Sequence, residues 1–204
     1  MATETRPRAQ RRGRPRRAET SRAIVDATLA LLAECGFQAT TVDAIAERAG
    51  VAKNTIYRRW PSKEELIADA LEQLTRPAVE VSESVGIHEF LREHARDIAR
   101  ILADPQVRRI LPDMLGELQR NRAFAVTFAD RLLRPRRLSI VEGLRRAIER
   151  GELRGDADVE LIADLLGGPP FARVLLPVDV PEMTEHDADV LVDTIWNGLA
   201  SPSQ

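Results

Sequence analysis

The sequence predicts an all-α fold of about nine helices in two domains, and three observations carry that expectation. Apolar residues recur at i, i+3, i+4 and i+7 through almost the whole chain. Valine and isoleucine never alternate with polar residues over a strand's length, so no sheet is expected. Glycine, proline and short polar caps punctuate the periodic runs at helical spacing. With 204 residues and 44% hydrophobic content, the chain can fill a sizeable core.

Residues 1–17, MATETRPRAQRRGRPRR, hold no aliphatic side chain larger than alanine except Met1, so burial cannot offset their ordering entropy. They are expected to form a disordered basic arm. From Thr20 a helical stripe begins, with Ile24, Ala27, Thr28, Leu31 and Leu32 on one face and Gly36 placed to end it in a left-handed conformation. Thr40 and Asp43 form a candidate capping box for a second helix carrying Val42, Ile45, Ala46 and Ala49. Gly50 breaks that helix, a third begins near Ala52 and runs to about Trp60, and Pro61 with Ser62 and Glu65 starts a fourth. The fourth presents Leu66, Ile67, Ala70, Leu71 and Leu74. Residues 18–75 thus read as one small domain. Arg76 to Gly86 lacks an apolar face and is the expected connection to a second domain over 76–204. Five helical patterns follow there: 87–102, 106–119, 121–150 with a kink at Pro135, 158–175 with a bend at Gly167-Gly168-Pro169-Pro170, and 184–199.

Charge is distributed unevenly. The formal net charge is -2, yet residues 1–22 hold eight arginines against Glu4 and Glu19, so this segment carries +6 and the remainder -8. A basic arm on an acidic body is the signature of an anionic partner. The lone Cys35 cannot form an internal disulfide, lies in an apolar helical pattern, and is expected to be a buried structural thiol in a reducing setting. No stretch approaches the roughly 18 apolar residues of a membrane span. A soluble, cytoplasmic protein is therefore expected, without membrane attachment.

The segment GVAKNTIYRRWPSKEEL, from Gly50 to Leu66, concentrates bases and aromatics. Ala46, Gly50 and Ile56 have the spacing of a helix-turn-helix: a small residue where two helices cross, a glycine for the tight turn, and a branched side chain wedged between them. At about 100° per residue, Lys53, Asn54, Tyr57 and Arg58 cover one arc of the second helix, while Ile56 and Trp60 point the other way. Amides, a phenol and cations are the groups that bond base edges and phosphates. The arc points to double-stranded DNA as the partner.

Residues 18–74, and especially TTVDAIAERAGVAKNTIYRRWPSKEEL, resemble the DNA-binding domain of the tetracycline-repressor (TetR) family of bacterial transcription regulators. The C-terminal half is similar more loosely, in its helix count and in GELRGDADVELIADLLGGPPFARVLL. The resemblance implies an N-terminal three-helix DNA-binding domain and a C-terminal domain for ligand binding and dimerisation. It places Lys53, Asn54, Thr55, Tyr57 and Arg58 on the recognition helix with Arg59 at its edge, and puts Thr41 and Lys63 at phosphate-contacting positions. Asp43 departs from family members that carry a base-reading arginine there.

In the arm, Arg12-Gly13-Arg14-Pro15 resembles the core of an AT-hook, whose arginines enter a narrow minor groove. A generic basic tail adding electrostatic affinity accounts for the composition equally well. No glycine-rich phosphate loop, CxxC or HExxH is present, and His88, His94 and His186 are scattered, so neither catalysis nor a metal or cofactor is expected. The function expected is a ligand-responsive repressor that binds a palindromic operator as a homodimer; the alternatives are a constitutive DNA-binding dimer and a helical adaptor. Phe90, His94, Met114, Phe124, Phe128 and Phe171 are candidate lining for a small, mostly apolar effector, with Asp113 or Glu117 as polar anchors. Leu161, Leu165, Leu191, Ile195 and Leu199 resemble the family's dimer-forming stripe.

Overall fold

The structure, a computed structural model, describes residues 14–76, 85–175 and 181–199, which form nine helices and no extended strand. In order these are α1 (Arg14–Ala39), α2 (Val42–Ala49), α3 (Lys53–Tyr57), α4 (Lys63–Leu74), α5 (Ile87–Ala103) and α6 (Pro105–Arg120). Next, α7 runs from Arg122–Phe128 through a π-turn at Ala129–Leu133 into Arg134–Glu149; α8 (Val159–Leu175) and α9 (Glu185–Leu199) complete the fold. Arg12 and most of the 76–86 connection lie outside the described residues. No described helix is long and apolar enough to cross a membrane.

The local signals set most boundaries. Ser62 caps α4 by accepting from the Glu65 N–H, and Gly50 closes α2 with φ 64° and ψ 35°. Gly36 adopts φ 77°, and the chain bends there within α1. Several expectations are corrected. The first helix begins at Arg14 rather than near Thr20, so residues 14–17 of the expected disordered arm are helical; the Arg17 carbonyl is held by the Ser21 hydroxyl and by Arg59. The α2 cap is Thr41, which accepts from the Ala44 N–H, because Thr40 is buried and its hydroxyl donates back to the Gly36 carbonyl at 2.7 Å. Cys35 is exposed although it continues the Leu31–Leu32 face at i+4 and i+3, since it stands directly before the bend at Gly36; its Sγ–H donates to the Leu31 carbonyl. The third helix is only five residues long, with Arg58 and Arg59 continuing as turn. Around Pro135 the helix widens into a π-turn just before the proline, which relieves the clash between its ring and the preceding turn. Through Gly167–Pro170, α8 continues unbroken.

The N-terminal helices do not close a core by themselves. Ile24, Leu32, Phe37, Ile45, Ile56, Leu66 and Ile67 pack in one cluster with Ile110 and Met114 of α6 and Phe124, Phe128 and Leu132 of α7. A buried ring the size of phenylalanine contributes about 1.5–3 kcal/mol by leaving water, so this shared core ties the two regions firmly. A second cluster joins α5, α7, α8 and α9 through Phe90, Leu91, Leu144, Leu166 and Val192. Here Gly143 lets Phe90 approach closely: a Cβ on that glycine would stand 2.8 Å from the ring. Antiparallel α5 and α9 are further joined by a ladder at helical spacing, with His88 and Arg92 on Asp193, Arg96 on Asp189 and Arg100 on Glu185.

Candidate nucleic-acid interface

The recognition element is positioned from beneath. Ile56 is buried against Ala46 and Ile45, and Trp60 closes the far end by donating its indole N–H to Asp69 Oδ2 of α4 at 3.0 Å. With those anchors fixed, the helical period turns Lys53, Asn54, Tyr57 and Arg58 to solvent, and Tyr57 is 51% exposed. An exposed phenol presents both an apolar ring and a hydroxyl that can donate or accept a hydrogen bond. Thr55 is half-buried at the edge of the arc.

The remaining candidate residues differ in availability. Thr41 is exposed and, although its oxygen accepts from Ala44, its hydroxyl hydrogen is left to donate to a further acceptor. Lys63 Nζ donates to the Phe37 carbonyl at 2.9 Å and lies 4.1 Å from the centre of the Phe37 ring, so it works first as a brace between α4 and the end of α1. Arg59 turns away from the arc onto α1, donating to the Ser21 hydroxyl and to the Arg17 carbonyl. Burial, followed by the neighbouring Arg17 and Arg58 cations, draws its pKa below the ordinary guanidinium value. Arg14 stands at the first described position of α1. Two contacts at this face were not legible in the sequence: the Arg59 clasp on α1, and an ion pair between Lys53 and Asp43. The ion pair needs the turn geometry at Gly50 and the clasp needs the packing of α1, neither of which periodicity reports.

The proposed effector lining is not brought together. Met114, Phe124 and Phe128 belong to the core shared with the N-terminal helices, where the Phe124 ring packs at a tilt against those of Phe37 and Phe128, at ring-centre distances of 4.8 and 5.8 Å. Phe90 and His94 face each other at 4.3 Å beside the second cluster, and Phe171 packs on a third with Leu102, Val107 and Leu111. Nor do Asp113 and Glu117 await a ligand. Asp113 accepts the Phe37 N–H, and Glu117, 1% exposed, accepts from Gln38 Nε2 at 2.7 Å. A small cleft between α5, α6 and α8 is lined instead by Leu102, Arg108, Arg173, Val174 and Met183.

A capped helix, a left-handed glycine turn and a short second helix with a polar outward arc, carried on an all-helical body, define a helix-turn-helix transcriptional regulator. Comparison with known proteins makes this specific. Residues 24–70 match the family described as bacterial regulatory proteins, tetR family, and residues 87–195 match the tetracyclin repressor-like C-terminal domain. The chain is 35% identical to the HTH-type transcriptional regulator YdeS of Bacillus subtilis over 193 residues, covering 95% of this chain and 96% of that protein. It is 30% identical to the HTH-type transcriptional repressor KstR of Mycolicibacterium smegmatis, covering 87% and 73%. Among solved structures, a TetR-family regulator from Mesorhizobium loti shares the fold at a TM-score of 0.67 and 20% identity, over 91% of this chain and 99% of that one. The flavonoid-responsive regulator FrrA does so at 0.67 and 24%, over 91% and 100%. The protein belongs to the tetracycline-repressor family and is a DNA-binding transcriptional regulator.

Proposed function

We propose that the protein is a cytoplasmic homodimeric repressor that binds a palindromic operator through α3 and is released by a small, mostly apolar molecule. The observation that carries the DNA reading is the exposed arc of Lys53, Asn54, Tyr57 and Arg58 over the buried Ile56 and Trp60. Thr41 and Lys63 flank it as phosphate contacts, and the basic arm, with Arg12 and Arg14, extends the contact along the duplex. Functionally, residues 1–17 serve as the arm, 18–75 as the DNA-binding domain and 76–204 as the effector and dimerisation domain.

Dimerisation is supported by an apolar stripe on α8. Leu161 and Leu165 are 54% and 43% exposed, and Gly168 and Ala172 continue the same face. On α9, Val190 is also exposed, whereas Leu191 and Ile195 are half-buried against the second cluster. Twofold pairing of these helices covers the stripe and sets two recognition helices about one DNA turn apart, ~34–36 Å. Effector response is supported by the structural neighbour FrrA, a flavonoid-responsive regulator, and by the braces that link α6 and α7 to the DNA-binding helices. A ligand acts by binding one arrangement of those helices better than another.

The test is selection of duplexes from a random-sequence library by the full chain. Enrichment of a palindrome is expected, with Tyr57→Ala and Lys53→Ala each weakening binding to it by about 1–3 kcal/mol. No enrichment over random duplex would remove the reading. A compound screen on the complex then tests release; with no releasing molecule, a constitutive DNA-binding dimer remains.

A further inference from the structure

We propose that Asp43 is a specificity-determining residue: paired with Lys53 across the seam between α2 and α3, it keeps that lysine on base edges and off the phosphate backbone. The inference rests on the reading of α3 as the recognition helix.

Asp43 is the second residue of α2 and Lys53 the first of α3, and the left-handed turn at Gly50 folds the two positions together. The Lys53 ammonium pairs with Asp43 Oδ1, while both side chains stay more than half exposed, at 54% and 64%. An ion pair so exposed contributes little to stability. Its consequence is directional. In a helix-turn-helix the N-terminal residues of the second helix are those that meet base edges, so the carboxylate stands at the same place as the base-reading end of α3.

A lysine alone there is a compact cation on a flexible stem, and any duplex offers it phosphates, whose contacts carry no sequence information. A neighbouring carboxylate changes this in two ways. It occupies one of the three ammonium N–H donors and leaves two, enough for guanine O6 and N7 in the major groove. It also repels a phosphate that approaches the same ammonium, so the gain from Lys53 on an arbitrary duplex falls. Affinity is traded for discrimination, as expected where a repulsive element is built against the wrong partner.

The experiment measures affinity across a salt series for the selected duplex and for random duplex of equal length, using full-length wild type, Asp43→Asn, Asp43→Glu, Lys53→Ala and the double variant Asp43→Asn with Lys53→Ala. Circular dichroism verifies that each is folded. Asp43→Asn is expected to bind random duplex about 3-fold more tightly, to steepen its log–log salt slope by about 0.9 as Lys53 takes a phosphate, and to narrow the specific-to-random ratio by about 10-fold. Asp43→Glu retains the wild-type ratio. In the Lys53→Ala background, Asp43→Asn changes the ratio no further, since the effect passes through that lysine. If Lys53→Ala weakens selective binding while Asp43→Asn leaves ratio and slope unchanged, or acts equally without Lys53, this inference is overturned alone. If Lys53→Ala leaves selective binding intact, the reading of α3 fails and the inference with it.

Discussion

The backbone N–H of Phe37 donates to Asp113 Oδ2 across 2.6 Å, joining the end of α1, just past its bend at Gly36, to the middle of α6. The approach depends on Gly36, since a Cβ there would stand 3.0 Å from the same carboxylate oxygen, and its φ of 77° is one that side chains rarely adopt. Gln38 on Glu117 and Lys63 on the Phe37 carbonyl complete a clasp around three consecutive residues. The recognition unit is therefore held directly by the C-terminal region, in addition to its contact through α4.

Gly36→Ala is expected to destabilise the protein by about 1–3 kcal/mol through backbone strain. Asp113→Ala should cost a similar ~1–3 kcal/mol by leaving the Phe37 N–H unpaired. Because both changes act on one contact, the double variant should lose less than the sum. Urea unfolding of the three variants checks this; an Asp113→Ala protein as stable as wild type would contradict the clasp.

Arg131 offers a second brace. From the π-turn of α7 its guanidinium reaches Glu65, Asp69 and Glu72 along α4, and Asp69 in turn accepts the Trp60 indole N–H. Asp69→Ala breaks both links and is expected to cost about 1–3 kcal/mol, whereas Asp69→Asn keeps an acceptor for the indole and should cost less. Denaturation followed by tryptophan fluorescence separates the two; equal midpoints for Ala and Asn would show that the indole bond contributes nothing.

For the proposed dimer, the exposed leucines define cleaner substitutions than the half-buried Leu191 and Ile195, whose replacement by charge would also damage the core. Leu161→Glu with Leu165→Glu is expected to give a folded monomer by sedimentation velocity, with unchanged helicity. A dimer that persists in that variant would place the interface elsewhere.

His94 sets an acid-side dependence. Burial draws its pKa below the ordinary imidazole value of about 6.5, against the hydrogen bond that its Nδ1–H donates to the Phe90 carbonyl and the charges of Asp97 and Glu93, which oppose the shift. The unfolded chain therefore takes up this proton at a higher pH than the folded one. The neutral ring's contribution is fully present above about pH 6.5 and is lost as pH falls from there toward the folded-state value. Replacing His94 by Phe should flatten unfolding free energy over that window, as measured by urea titrations between pH 7.5 and 5.5; an unchanged slope would count against it.

Helix type and order were determined by the sequence alone, because apolar period, caps and glycine stops are local quantities. Thus Ile24 to Leu32, the Gly50 turn and the outward arc from Lys53 to Arg58 lie where the spacing puts them. Even local rules erred where two neighbours competed, as when the buried Thr40 left the cap to Thr41. Partnership was decided only by the tertiary structure. Asp113 and Glu117 read as polar groups awaiting a ligand until α6 packed against the end of α1, and the aromatic residues read as one lining until three separate cores claimed them. A stripe records that a face is buried, but what buries it depends on residues far along the chain, and long-range contact leaves no period in the sequence.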